Sequence, residues 1–366
     1  GVREGDEVLV PGYTCVVVPA AILYLGARPV FYDIDADTLN GDVEHAASRL
    51  GARTRAIIVQ HTFGQPAELE RFRKLADDAS VLLVEDCAHG PTGGSGEHRL
   101  AHTGDAAFTS LQWSKSVTTG LGGVARVNEP GLVEAVAGTH ARMCREPTLS
   151  TQLALRILRV AFTMTASPRW FWGVRRLYRR LSSMGVVPGS STNLELTTCQ
   201  EPASYRSRFG EHRFPDLYVA LGSLENSMQH RTRIACRLRE RASDLDLWTQ
   251  RVSGCSESMN LRVPLAARSR TDLQAKAERA GIEIGDWFVS PIHPIQQDMH
   301  RFAYERGSCP RAEFHAVHAV NLPTHPGVSD DDVDRMLDFL GANRHQLLTE
   351  AEVMRSVPAD SFAPAP

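Results

Sequence analysis

The sequence has no C-x-x-C pair, no run of about 20 apolar residues, and no G-x-G-x-x-G after its first strand-like segment. Each absence removes a class of function. The seven cysteines (Cys15, Cys87, Cys144, Cys199, Cys236, Cys255 and Cys309) are odd in number and scattered, so neither a disulfide framework nor a zinc site is indicated, and reduced thiols in a cytoplasm fit best. Without a long apolar run, or the charged, apolar and small-residue order of a signal peptide, no integral membrane segment is expected. The missing glycine fingerprint argues against a nicotinamide-dependent oxidoreductase. Charge of one sign is lacking too: 40 Lys and Arg against 43 Asp and Glu give a formal net charge of −3 and a pI near 6.6. Such a chain has no global attraction to nucleic acid or to an anionic membrane, and any anion binding must be local.

What is present is ordinary globular composition, 42% hydrophobic and 23% charged over 366 residues. The length points to two domains, or to one large α/β domain with an appendage. No internal repeat is visible.

Strand-like and helix-like segments alternate from the start. Val8–Val10 reads as a strand and Thr14–Leu25 as a buried helix closed by Gly26. Pro29–Asp35, Arg55–Gln60 and Val81–Asp86 read as further strands, with a helix over Glu68–Ala79. This alternation predicts a mostly parallel sheet flanked by helices. Ligands of such sheets sit outside the carboxyl ends of the strands, which directs attention to Pro11-Gly-Tyr-Thr-Cys, His61-Thr-Phe-Gly-Gln, Asp86-Cys-Ala-His-Gly and Ser110-Leu-Gln-Trp-Ser-Lys.

Residues 142–180 form a basic amphipathic segment carrying Arg156, Arg159, Arg175, Arg176, Arg179 and Arg180. A helical pair with its apolar face on the body and its arginines in water is the expected outcome, ahead of docking on lipid, on a partner or over a substrate diphosphate. Gly189–Asn193 looks like a linker, a long helix is expected around Leu217–Leu247, and a smaller α+β unit follows with a helix over Thr271–Ala280 and a strand near Ile282–Ile284. The expected divisions are 1–140, a large cofactor-binding domain; 141–196, the basic insertion; 197–250, a linking helix; 251–350, the small domain; and 351–366, a tail ending in Ala-Pro-Ala-Pro.

Asp86 ends a buried strand, and an acid in that place commonly faces a ligand; capping a helix is the competing role. His89 follows three residues later, either against that ligand or as a satisfied core histidine. Lys115 lies beyond a strand end among small hydroxyl residues, where desolvation lowers an amine's pKa and makes it a nucleophile; most loop lysines are merely solvated. Ser110 offers a hydroxyl on the same strand.

Read in order, Gly5-Asp-Glu-Val-Leu-Val-Pro, Tyr24-Leu-Gly-Ala-Arg-Pro-Val-Phe-Tyr-Asp-Ile-Asp, His61-Thr-Phe-Gly-Gln-Pro-Ala, Glu85-Asp-Cys-Ala-His-Gly and Ser110-Leu-Gln-Trp-Ser-Lys resemble the DegT/StrS family of sugar-nucleotide aminotransferases. His212-Arg-Phe-Pro-Asp-Leu, Ala280-Gly-Ile-Glu-Ile-Gly and Leu322-Pro-Thr-His-Pro-Gly-Val extend the resemblance towards the C-terminus, and 142–196 stands apart.

The resemblance implies a fold-type-I enzyme dependent on pyridoxal 5'-phosphate (PLP), usually a homodimer. It moves an amino group from glutamate or glutamine to a ketone of a nucleotide-linked deoxysugar or a cyclitol. It puts Lys115 on the lysine that holds the cofactor as an imine, Asp86 beside the pyridine nitrogen, His89 beside the ring and Ser110 at the phosphate. Arg213 falls where an arginine reaches the partner subunit's cofactor phosphate, and Glu211 where an asparagine is common. Cys15 replaces an aromatic that often stacks on the ring, a part that Tyr13 is expected to take. His293 and His325 fall near the substrate; for each, a packed turn is the alternative. Deoxygenating members carry histidine in place of the lysine, so Lys115 points to amino transfer. The family's Gly-Thr or Gly-Ser phosphate loop falls ahead of Gly1, so the chain is expected to start inside a domain and to be weak or inactive without that loop. The second reading is a non-catalytic or truncated homologue that acts as a binding or dimer-partner subunit.

Overall fold

The computed structural model describes residues 1–90, 100–165, 172–174, 176–177, 180, 193–252 and 258–358. A six-stranded sheet forms the first part, in the order β3-β1-β4-β5-β6-β7. The strands are β1 (Glu7–Pro11), β3 (Arg28–Tyr32), β4 (Thr54–Gln60), β5 (Leu82–Asp86), β6 (Ala106–Ser110) and β7 (Gly123–Val127). All neighbours pair parallel except β6 and β7, which are antiparallel with Ser110 opposite Gly123. Parallel register aligns Gln60 with Asp86 and Asp86 with Phe108, so the carboxyl ends of three strands open at one level.

The sheet is stable because its strands are apolar on both faces. Leu9, Ile57 and Leu83 have no exposed surface and pack against Phe72 and Ala76 of the helix Leu69–Ala79. Truncating one such leucine to alanine costs about 2–5 kcal/mol.

The second part joins the long helix Leu224–Asp244 to an antiparallel pair, β8 (Arg262–Ala266) and β10 (Ala319–Pro323), covered by the helices Arg270–Ala280 and Asp330–Ala342. Two short strands tie this part to the sheet: β2 (Thr14–Cys15) pairs with β9 (Ile292–His293), which sets Cys15 opposite His293. One core runs across the junction, with Val10, Phe31 and Phe63 packed together with Phe288, Ile292 and Phe302.

Some expectations shift. The helix read over Thr14–Leu25 gives up its first two residues to β2 and runs Val17–Leu23, followed by Gly26 at φ +73°. The long helix around Leu217–Leu247 is two, Phe214–Gly222 and Leu224–Asp244, broken at Ser223. Ile282–Ile284 forms no strand; only Gly285 bridges to Asn321.

The basic segment departs most. Among the described side chains of its helix Leu149–Thr165 only Leu155 is buried, whereas Leu149, Leu153, Ile157 and Val160 face outward, and Arg159 is paired with Asp216 at 2.7 Å. The apolar face expected against the body meets water on this helix, as an i, i+4, i+8 stripe of Leu149, Leu153 and Ile157, while Arg156 is exposed as expected. Arg175, Arg179, most of the Gly189–Asn193 linker and the Ala-Pro-Ala-Pro tail lie outside the described residues.

Candidate active site

The end of β5 is held rigidly from behind. Glu85 has no exposed surface, and its carboxylate accepts N–H bonds from Ala101 (2.9 Å), Thr103 (2.9 Å) and Gly104 (2.7 Å). His61 Nδ1 accepts from Ala67 N–H at 3.1 Å, which leaves Nε2 to donate to Glu85 at 3.2 Å. These bonds hold Glu85 below the ordinary carboxylate range despite its burial. His61, Glu85 and Cys87 bring three possible metal-binding atoms within 4.8 Å of one another. The lone pair of His61 and the carboxylate of Glu85 are already engaged, so the cluster acts as a strut.

Asp86, one residue on, ends the strand. It is buried, and Ala88 N–H donates to its Oδ1 at 2.9 Å. Burial raises its carboxyl above the ordinary range, opposed by that bond and by the nearby Lys115.

Lys115 lies in a loop that folds back on β6, closed by Thr119 N–H to Leu111 O (3.1 Å) and Leu111 N–H to Gly122 O (2.9 Å). Gly120, at φ +101°, is required here, since a Cβ would fall 2.5 Å from the Trp113 ring. The partly exposed Lys115 carries an amine whose pKa burial lowers to about 8; Arg262 acts in the same direction, while Cys15 and Asp86 oppose it. Near neutrality the amine is thus far closer to its nucleophilic form than a free lysine. The chain's other two lysines, Lys74 and Lys276, lie on helices, and Lys74 is exposed and paired with Asp78 at 2.7 Å.

His89 is buried in an aromatic stack, parallel to Trp287 (centroids 5.6 Å apart, 7° between planes) and near-parallel to Phe63 (5.8 Å, 20°). Its Nδ1 accepts from Phe63 N–H at 3.0 Å, so the neutral ring keeps its proton on Nε2. Burial and the charges of Lys115, Arg262 and His293 lower its pKa well below the usual value.

Trp287 presents its ring to Lys115 Nζ at 4.7 Å and to the Arg262 guanidinium at 5.4 Å. Arg262 pairs with buried Glu283 at 3.2 Å, and Glu283 also meets His325 Nε2 at 3.1 Å. Both partners hold Glu283 below its ordinary range. The structure therefore gathers Lys115, Asp86, His89 and His293 into one electrostatic group and attaches His325 through Glu283. His293 sits on β9, where its Nδ1 accepts from Val289 N–H at 3.2 Å. Ser110 closes β6, its Oγ accepting from Gln112 N–H at 3.3 Å.

Two residues sit differently from expectation. Tyr13 is fully buried, packs edge-on to Phe288 at 5.1 Å and receives Phe288 N–H on its hydroxyl at 3.3 Å. It forms the wall behind the site and has no open face on which a ring could stack. Arg213 points into its own subunit, donating to Thr119 O and Oγ1 at 3.0 Å each and to Leu121 O, and stacking on Phe209 at 4.2 Å. It braces the glycine turn behind Lys115. Glu211 is exposed in the turn just before it.

The individual roles of Trp287, Arg262 and Glu283 escaped sequence reasoning. The signals available were an aromatic pair after Gly285 and an acid between isoleucines, Ile282-Glu-Ile, that had to be paired if buried.

The sequence profile of the DegT/DnrJ/EryC1/StrS aminotransferase family matches residues 1–158 and 178–340. The chain belongs to this family. It is 37% identical over 141 residues to the L-glutamine:2-deoxy-scyllo-inosose aminotransferase of Streptomyces kanamyceticus, a match covering 38% of this chain and 33% of that protein. The matched stretch thus spans about a third of that relative's length. Among solved structures, the aminotransferase TlmJ from Streptoalloteichus hindustanus aligns with a TM-score of 0.71 at 25% identity, over 94% of this chain and 81% of that one. The E. coli GDP-4-keto-6-deoxy-D-mannose-3-dehydratase with bound hydrated PLP shares the fold, with a TM-score of 0.67 at 17% identity over 93% and 80% of the two chains. DegT/DnrJ/EryC1/StrS aminotransferases are PLP-dependent, and the residues gathered here fit that cofactor: a lysine with a lowered pKa, a buried carboxylate and a neutral imidazole. Residues 159–177, within the basic segment, lie outside the family match. No helix among the described residues is long and apolar enough to cross a membrane.

Proposed function

We propose that this chain transfers an amino group from glutamate or glutamine to the keto group of a nucleotide-linked deoxysugar or a cyclitol. The observation that carries the reading is that Lys115, its amine lowered to about pKa 8, and buried Asp86 feel each other's charge at the carboxyl end of a parallel sheet. Bound PLP would supply an electron-withdrawing ring able to carry the amino group between the two substrates. Lys115 would hold it covalently and, once released, move the proton at the reacting carbon. Asp86 would keep the pyridine nitrogen protonated, Nε2–H of His89 would donate to the ring's edge, and Ser110 would meet the phosphate. His293 and His325 would line the approach of the acceptor.

A homodimer fits the exposed apolar residues Phe214, Tyr218, Val219 and Leu221, which lie beside Arg213 and close to the outward stripe of Leu149–Thr165. Docking a second copy there would bring Arg213 towards the partner's phosphate if its bonds to Thr119 and Leu121 are exchanged. Cytoplasmic residence is supported by free thiols at all six described cysteines. The test is incubation with PLP, glutamine and a nucleotide-linked keto-deoxysugar or keto-inositol, with mass spectrometry of the product. An amino product formed by the native chain and abolished by Lys115→Ala is expected; turnover that survives Lys115→Ala refutes the reading.

A further inference from the structure

Among the polar and charged groups facing Lys115, Trp287 offers a flat apolar surface. Its carbonyl accepts from Asn321 Nδ2 at 2.8 Å, which ties the turn to β10. The partly exposed indole lies parallel to His89, beneath Arg262, and 4.7 Å from Lys115 Nζ. The indole therefore borders the space around that amine. The contact itself reports the character of the surface: the face of an indole is electron-rich and attracts cations. The C–H bonds of a polyhydroxylated six-membered ring carry partial positive charge on their carbons' hydrogens and pack on the same kind of face. Its hydroxyls project at the edge, where Lys115, Arg262 and the Glu283–His325 pair can bond them.

We infer that Trp287 is the platform on which the six-membered ring of the keto acceptor stacks, a positioning residue that selects the acceptor over the amino donor. Glutamate and glutamine are open chains with no flat face to lay on an indole. When Lys115 is engaged elsewhere, its ammonium no longer covers the indole. Arg262 lies over the indole and the Glu283–His325 pair lies behind it, so a ring that meets the indole is turned in its plane by hydrogen bonds from these groups. The inference rests on the aminotransferase reading for the identity of its ligand.

The test separates binding of the two substrates in the PLP-loaded full chain. Calorimetric titration with a nucleotide-linked 4-keto-6-deoxyhexose and with a keto-inositol gives acceptor affinity. The change in cofactor absorbance on adding glutamine or glutamate gives the donor step. Trp287→Ala is expected to weaken acceptor binding about tenfold, the size of a lost stacking contact, while slowing the donor step at most about threefold. Trp287→Phe keeps a flat face and is expected to recover most of the affinity, which also guards against a variant that merely misfolds. Unchanged acceptor affinity in Trp287→Ala, equal losses on both substrates, or no recovery in Trp287→Phe would overturn the platform. A native chain that takes no amino group from either donor, yet binds the ring in a Trp287-dependent way, would refute the aminotransferase reading and leave the platform standing.

Discussion

Lys115 Nζ lies 4.7 Å from the centre of the Trp287 ring, bringing together residues 172 positions apart in the chain. One comes from the loop after β6 and the other from the turn before β9. The contact spans the junction between the sheet and the second part, so the nucleophile and the surface facing it are positioned by a shared core.

The lowered pKa of Lys115 sets a pH dependence for cofactor attachment. Attack on an aldehyde needs the neutral amine, which becomes the major form above about pH 8 here, against 10.5 for an ordinary lysine. The second-order rate of PLP attachment should rise roughly tenfold per unit from pH 6 to 7 and level off above 8. Stopped-flow absorbance measures this, and a rate still climbing steeply at pH 9.5 would show that burial does not depress the amine.

Asp86→Asn removes a charge from a buried site while keeping its shape and its bond to Ala88 N–H. The fold should survive, as judged by circular dichroism, and amino transfer should slow by about a hundredfold or more, because an amide cannot keep the pyridine nitrogen protonated. Near-native turnover would make Asp86 structural.

Glu85 tests the strut behind the site. Glu85→Ala strips the partner from buried His61 and from three backbone N–H groups, that of Gly104 buried and those of Ala101 and Thr103 partly so. The expected loss is about 3 kcal/mol in chemical unfolding, because the buried donors His61 Nε2 and Gly104 N–H are left without acceptors. A loss below about 1 kcal/mol would mean that the 101–104 loop opens to water.

The outward apolar helix predicts self-association. The native chain should sediment as a dimer, and the double change Tyr218→Asp with Val219→Asp should shift it to monomer without altering its circular dichroism. Both side chains are more than two-thirds exposed, so the single subunit does not need them for its core. A native monomer, or an unaffected dimer in the variant, contradicts the assignment of this face.

Much of the large sheet was legible because its strands are short apolar runs ending in chemically conspicuous residues. Asp86, His89, Ser110 and Lys115 all sit within a few residues of a strand end, and the topology brings those ends together. Trp287, Arg262 and Glu283 were not legible as a group, since their meeting depends on how β8 and the turn after Gly285 pack against the sheet, which no local pattern encodes. Arg213 carries an ambiguity of another kind. Its sequence position is compatible with reaching outward or inward, and the carbonyls of Thr119 and Leu121 that draw it inward are 94 and 92 residues away. On the helix Leu149–Thr165 the amphipathic pattern revealed that a stripe exists but not which side faces water.

The most direct test of the account is where the cofactor attaches. The protein is incubated with PLP, reduced with borohydride, digested, and mapped by mass spectrometry across its three lysines, Lys74, Lys115 and Lys276. Modification of Lys115 alone, lost in Lys115→Ala, is the predicted result. A phosphopyridoxyl group fixed on Lys74 or Lys276 instead, or no stable adduct at any lysine, would contradict it.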